Sequence, residues 1–166
     1  PEIVAANSFN GIGGNTLSVL LNQSSGSTIT KASFVTALIS PVAVGAKPGK
    51  VLLADFDPDD PNPKLDIAVL NSAGNTVQIF RNISSTLGNV ELAPPSPFAT
   101  GLASRAMAIG DIDGDGAPDL VIANDDLGEV GLLRNKSGSP VIDFHDRVGL
   151  SLTSRPKNVV LGDLDQ

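Results

Sequence analysis

A chain of 166 residues with 41% hydrophobic content and a net charge of −7 holds enough apolar material for a packed core and too few basic side chains to coat a polyanion. Seventeen glycines, twelve prolines and only six aromatics, all Phe, favour short strands joined by tight turns over long helices. Disulfides and thiolate metal sites are excluded because there is no cysteine, and no apolar run approaches the roughly eighteen residues of a membrane span. Nucleic-acid binding and membrane insertion are therefore not expected.

In chain order, a first apolar segment covers 3–7 and ends in Asn7, and a second covers 17–22 and ends in Asn22. Gly11, Gly13 and Gly14 between them lack the full spacing of a nucleotide-binding loop and open no helix, so they read as a turn. A weaker strand is expected near Phe34, and segment 51–54 then runs into Asp55, Asp57, Asp59, Asp60 and Asp66. The order repeats: 67–71 ends in Asn71, 77–82 ends in Asn82, a weak strand is expected near Leu92, and 107–110 leads into Asp111, Asp113, Asp115 and Asp119. A third pass holds 120–124, 130–135, a weak strand near Phe144, and 159–162 before Asp163 and Asp165. These short runs, rich in β-branched residues, fit buried strands. The period of about fifty-five residues divides the chain into units of approximately 1–54, 55–110 and 111–162, with a half-loop at 163–166.

Each unit reads as a four-stranded antiparallel meander, strands A to D, with strand A just before the acidic stretch. A lone sheet of this kind cannot bury both faces, so the units must stack, and radial stacking of four-stranded sheets is the β-propeller. The expected fold class is all-β, a β-propeller with about three blades' worth of chain. Ala54, Gly110 and Gly162 precede the acidic stretches and suit innermost strands, where blades converge and volume is scarce. The chain opens at a strand B and stops inside an acidic stretch, so the missing strands are expected from further blades of a longer chain or from another copy.

Eleven of the eighteen acidic residues fall in the three stretches, five, four and two in turn. Carboxylates so crowded repel one another, and a bound cation relieves the repulsion. Ca²⁺ takes roughly six to eight oxygen ligands, and Asp at alternate positions turns successive carboxylates into one cavity. Asp111, Asp113 and Asp115 have that alternation, Gly114 and Gly116 permit a sharp turn, the Ala117 carbonyl offers a main-chain oxygen, and Asp119 closes the set from the next strand. An EF-hand would place Glu where Ile122 stands. In the first stretch Asp55, Asp57 and Asp59 keep the alternation, but Asp60 replaces Gly and the closing candidate moves out to Asp66. The third stretch offers only Asp163 and Asp165, and Glu2 holds the closing position in the first unit.

The stretch AIGDIDGDGAPDLVIAN over 108–124, followed by VGLLRN over 130–135, resembles an FG-GAP or VCBS-type repeat, the unit of the integrin α-subunit propeller and of many bacterial secreted proteins. The resemblance runs through the chain as three units. It implies Ca²⁺ as a structural cofactor, a bacterial secreted or cell-surface setting, and a binding or adhesion platform that is not an enzyme. It also implies calcium loops on one face and a protein or glycan partner on the other, where Asn124, Asp125, Asp126 and the basic residues Lys47, Arg105 and Arg155 would stand. A carbohydrate-binding propeller is the rival reading, disfavoured by the lack of Trp and Tyr, and a non-catalytic part of a larger secreted enzyme is another. No nucleophile–base pair stands out, and the single His145 has no companion ligand. Asn22, Asn82 and Asn135 each begin an N-x-S sequon, but they share one repeat position at the end of strand C, which points to turn chemistry.

Overall fold

The computed structural model describes residues 1–8, 15–24, 27–37, 39–40, 42–86 and 88–164. It holds three antiparallel four-stranded sheets. The first contains β1 (Ile3–Asn7), β2 (Thr16–Asn22), β3 (Phe34–Thr36) and β4 (Val42–Ala43), with β3 and β4 both pairing β2. The second runs in order β5 (Pro48–Ala54), β6 (Asp66–Asn71), β7 (Thr76–Phe80) and β8 (Ser96–Ala99). The third runs β9 (Ser104–Gly110), β10 (Asp119–Asn124), β11 (Glu129–Leu133) and β12 (Val148–Ser151). The only helical element among the described residues is one 3₁₀ turn, Lys31–Ser33.

The expected four-stranded meander is present in the second and third sheets, with one displacement, while in the first β3 and β4 both follow β2. The fourth-strand ladder lies beyond Leu92 and Phe144, which instead form single bridges to Asn82 and Asn135. In the second sheet Ala93, Pro94 and Pro95 stand between the bridge and the ladder, which resumes at Ser96. The strand expected at 159–162 is an exposed segment with no ladder, because a strand forms only against a partner. It still runs beside β9: a Cβ on Gly110 would stand 2.9 Å from Leu161 Cδ1, the close approach expected of an innermost position.

Two apolar layers join the sheets. Alternation sends Ile67 and Val69 toward the first sheet, where they meet Leu17 and Val19, and sends Ala68 and Leu70 toward the third, where they meet Leu120 and Ile122. The middle sheet is thus covered on both faces, and β6 and β10 are buried along their whole length. Phe56 extends the second layer from the acidic loop, edge-on to Phe144 at 6.0 Å, while Phe144 also meets Phe98 at 4.9 Å.

In the third sheet the strand-B asparagine is a buried pin at the opposite end. Asn124 accepts from Ser104 Oγ at 2.9 Å and donates to the Thr100 carbonyl at 2.8 Å. Gly101 has φ +103°, and a Cβ there would lie 2.7 Å from Asn124 Nδ2, so this link needs glycine on both counts. The sequon asparagines form Asx turns, with the amides of Ser24, Ser84 and Ser137 donating to Asn22, Asn82 and Asn135 at 2.9, 3.0 and 2.8 Å. Asn135 is also buried, and its Nδ2 donates to the carbonyls of Phe56 and Pro118, both at 3.1 Å.

Phe56 and Ile112 share one repeat position, yet Phe56 is fully buried and Ile112 is 46% exposed. Phe56→Ala should cost about 3–5 kcal/mol of unfolding free energy, whereas Ile112→Ala should cost well under about 1 kcal/mol. Urea denaturation of the two variants checks the ranking, and equal losses would contradict the placement of the second apolar layer.

Candidate metal centre

The antiparallel order puts the A–B and C–D links at one end of every sheet and the B–C and D–A links at the other. The two acidic loops are the A–B links, between β5 and β6 and between β9 and β10. In the second loop carboxylate oxygens of Asp111, Asp113 and Asp115 lie within 4.8 Å of one another, and all three residues are exposed. Backbone amides shape this loop. Gly114 and Gly116 donate to the two oxygens of Asp111 at 2.7 and 2.9 Å, Asp115 to Asp113 at 3.3 Å, and Ala117 to Asp115 at 2.9 Å. Gly114 and Gly116 have φ of +80° and +90°, the left-handed turns anticipated for them.

Asp119 stands outside that trio. It is fully buried, and its oxygens accept the amides of Ile112 at 2.9 Å and Asn135 at 2.8 Å. It fixes the shape of the loop. The Ala117 carbonyl belongs to the same half-buried turn, one residue before Pro118.

In the first loop the convergent carboxylates are Asp55, Asp57 and Asp66. Asp59 is exposed and lies outside this group. Asp66 repeats the geometry of Asp119, accepting from Phe56 at 2.9 Å and Asn82 at 2.7 Å. Burial pushes its pKa up to about 6 against those two amides, with the Asp57 and Asp55 carboxylates adding to the rise. Burial and the neighbouring Asp57 also raise Asp55, whose Oδ1 is buried without a hydrogen-bond partner. Three converging carboxylates with an orphaned buried oxygen fit a hard divalent cation, whose charge would offset both. Arg81 stands at the rim of this loop, donating to Asp57 at 2.5 Å and Asp60 at 2.9 Å.

Asp163 lies in the exposed segment beside β9, Asp165 falls outside the described residues, and Glu2 is exposed ahead of β1. Neither Asp163 nor Glu2 belongs to a carboxylate trio among the described residues.

At the opposite end, Asn124 is an internal pin and offers no surface to a partner. Asp125 is also buried, and its Oδ2 accepts from Lys157 Nζ at 2.5 Å and Arg105 Nε at 3.0 Å. The Lys157 bond is the larger of the effects that lower the Asp125 pKa. Arg155 faces Asp126 at 3.5 Å, both exposed. Lys47, Arg105 and Arg155 do not share one position: Lys47 and Ala103 have the same left-handed φ, 55° and 53°, and accept equivalent amides from Ser72 and Asp125. Counted from the acidic stretches, Arg155 belongs with that pair, while Arg105 pairs with Lys157, overlooked in the sequence although its offset from Asp163 equals that of Arg105 from Asp111.

The family described as FG-GAP-like repeat matches residues 60–122 and 111–166. No curated protein and no solved structure matches the chain significantly. Among the described residues, no helix is long and apolar enough to cross a membrane.

With a chelator present, the raised pKa of Asp66 sets a pH dependence. A carboxyl that binds its proton more tightly folded than unfolded favours the folded state while protonated, so this contribution is full below about pH 4 and is lost as pH rises toward about 6. Asp66→Asn should flatten that part of the stability–pH curve in EDTA. Urea melts between pH 4 and 7 read the difference, and identical curves for the two proteins would remove Asp66 as its source.

Proposed function

Because the chain belongs to the FG-GAP-like repeat family, we propose that it is a calcium-binding stretch of a β-propeller that serves outside the cell as a binding or adhesion platform. The observation that carries this reading is the exposed trio Asp111, Asp113 and Asp115 within 4.8 Å, on a loop already shaped by its own amides. Calcium there acts structurally, neutralising the trio and stiffening the link between β9 and β10. The opposite end, with Arg105, Arg155, Lys157 and Asp126, is the surface for a protein or glycan partner.

Propeller closure is part of the same proposal. The outer face of the third sheet carries two cross-strand apolar rows, Ala108–Val121–Leu132–Val148 and Ala106–Ala123–Val130–Leu150. In the second sheet the corresponding rows, with Leu52, Ala68 and Ile79 in one and Leu70, Val77 and Phe98 in the other, are those that meet the third sheet. Ala106, Val121 and Ala123 in these rows are already buried, whereas Val148 and Leu150 on β12 are each 53% exposed, and the occupant we assign to that exposed part is another blade, supplied to the isolated chain by a second copy.

About 1 mM Ca²⁺ against sites of roughly 10⁻⁴–10⁻³ M should stabilise the fold by on the order of 0.4–1.4 kcal/mol per site. Melting in EDTA and in calcium measures this, with titration calorimetry to count ions. Asp113→Ala should remove the binding at the second loop, and unchanged calorimetry in that variant would defeat the assignment. Association is tested separately. The chain should scatter light as more than a monomer at micromolar concentration, and Leu150→Glu, at a position 53% exposed on an edge strand, should reduce that mass without altering the melt. A monodisperse wild-type monomer would contradict the covered-face reading.

A further inference from the structure

In both complete blades the residue that leaves strand C is arginine, Arg81 after β7 and Arg134 after β11, and the topology sets it at the end that holds the acidic loop of its own blade. The two make unequal contacts. Arg81 is 18% exposed and grips two carboxylates, Asp57 through Nε at 2.5 Å and Asp60 through Nη2 at 2.9 Å. Arg134 is 49% exposed, reaches only Asp113 at 3.2 Å, and shares its guanidinium with His145 Nε2 at 2.8 Å. Charge pairs withdrawn from water hold their geometry far better than exposed ones. The second anchor in the first loop is Asp60, the residue that departs from the repeat pattern, where Gly116 stands in the second loop.

We propose that Arg81 is a built-in counter-cation that holds loop 55–66 in place without calcium, whereas loop 111–119, held only by its own amides and a looser arginine, gains much of its protection when calcium binds. This rests on the reading of 111–119 as a calcium loop. Arg81 acts here as a positioning residue through Asp57 and Asp60. One guanidinium against Asp55, Asp57, Asp60 and Asp66 leaves a net negative loop that can still accept a cation, but the backbone no longer waits for one. The chain therefore carries one standing loop and one conditional loop in adjacent blades.

Hydrogen exchange in the full chain, followed peptide by peptide in EDTA and in about 1 mM CaCl₂, tests this. For a site of about 10⁻⁴ M, chelation should speed exchange within 111–119 about tenfold and within 55–66 less than about twofold. Arg81→Gln should open 55–66 in EDTA and make its protection depend on calcium, while Arg81→Lys should keep part of that protection. Asp60→Asn, which removes one anchor without touching the strands, should weaken 55–66 in the same direction. Exchange in β10 reports the global fold and should stay constant across the variants. An equal response of both wild-type loops to EDTA overturns the proposal, as does an Arg81→Gln loop that stays protected in EDTA. The EDTA comparison alone isolates Arg81. A wild-type 111–119 loop indifferent to calcium, with no calorimetric uptake, would instead be a failure of the calcium reading.

Discussion

The second and third sheets are each closed at one end by a single buried carboxylate that accepts two backbone amides. Asp119 takes one from the acidic loop, at Ile112, and one from the end of strand C, at Asn135; Asp66 does the same with Phe56 and Asn82. Hydrogen bonds to a charged acceptor are worth about 1.5–3 kcal/mol each, so one side chain ties the loop to two strands. The neighbouring acidic residues inherit their positions from this staple. So does its electrostatic cost, which is visible in the raised pKa of Asp66.

The same staple places the loop within the contact between sheets. Phe56, held by Asp66 through its amide, turns its ring into the second apolar layer against Phe144, and its carbonyl accepts from Asn135 of the third sheet's unit. The acidic loop of one sheet is therefore a structural part of the boundary with its neighbour. A cation or an arginine that stiffens loop 55–66 also stiffens that boundary, because Phe56 lies between Asp55 and Asp57.

The sequence makes the repeat legible because both of its signals are local. Alternation in 67–71 and 120–124 fixes which side chains meet which sheet, and the spacing of Asp111, Asp113 and Asp115 predicts their convergence. What it hides depends on partners distant along the chain. Asn124 looks like a polar surface residue until the Thr100–Gly101 link folds over it. The role of Asp119 as a staple between the loop and the end of strand C shows only once the amide of Asn135 reaches it. The fourth strands escaped exact placement because their ladders are only four residues long in the second and third sheets, too short for periodicity to locate.

Among the described residues, the middle sheet carries an apolar layer on each side. In a stack where each unit touches only its neighbours, stability is a sum of unit terms and boundary terms, and the unit with two boundaries is the last to open. The two layers therefore couple β5 to β8 to both neighbouring sheets at once, and Phe56 with its acidic loop stands at one of the two boundaries through which that cooperativity passes.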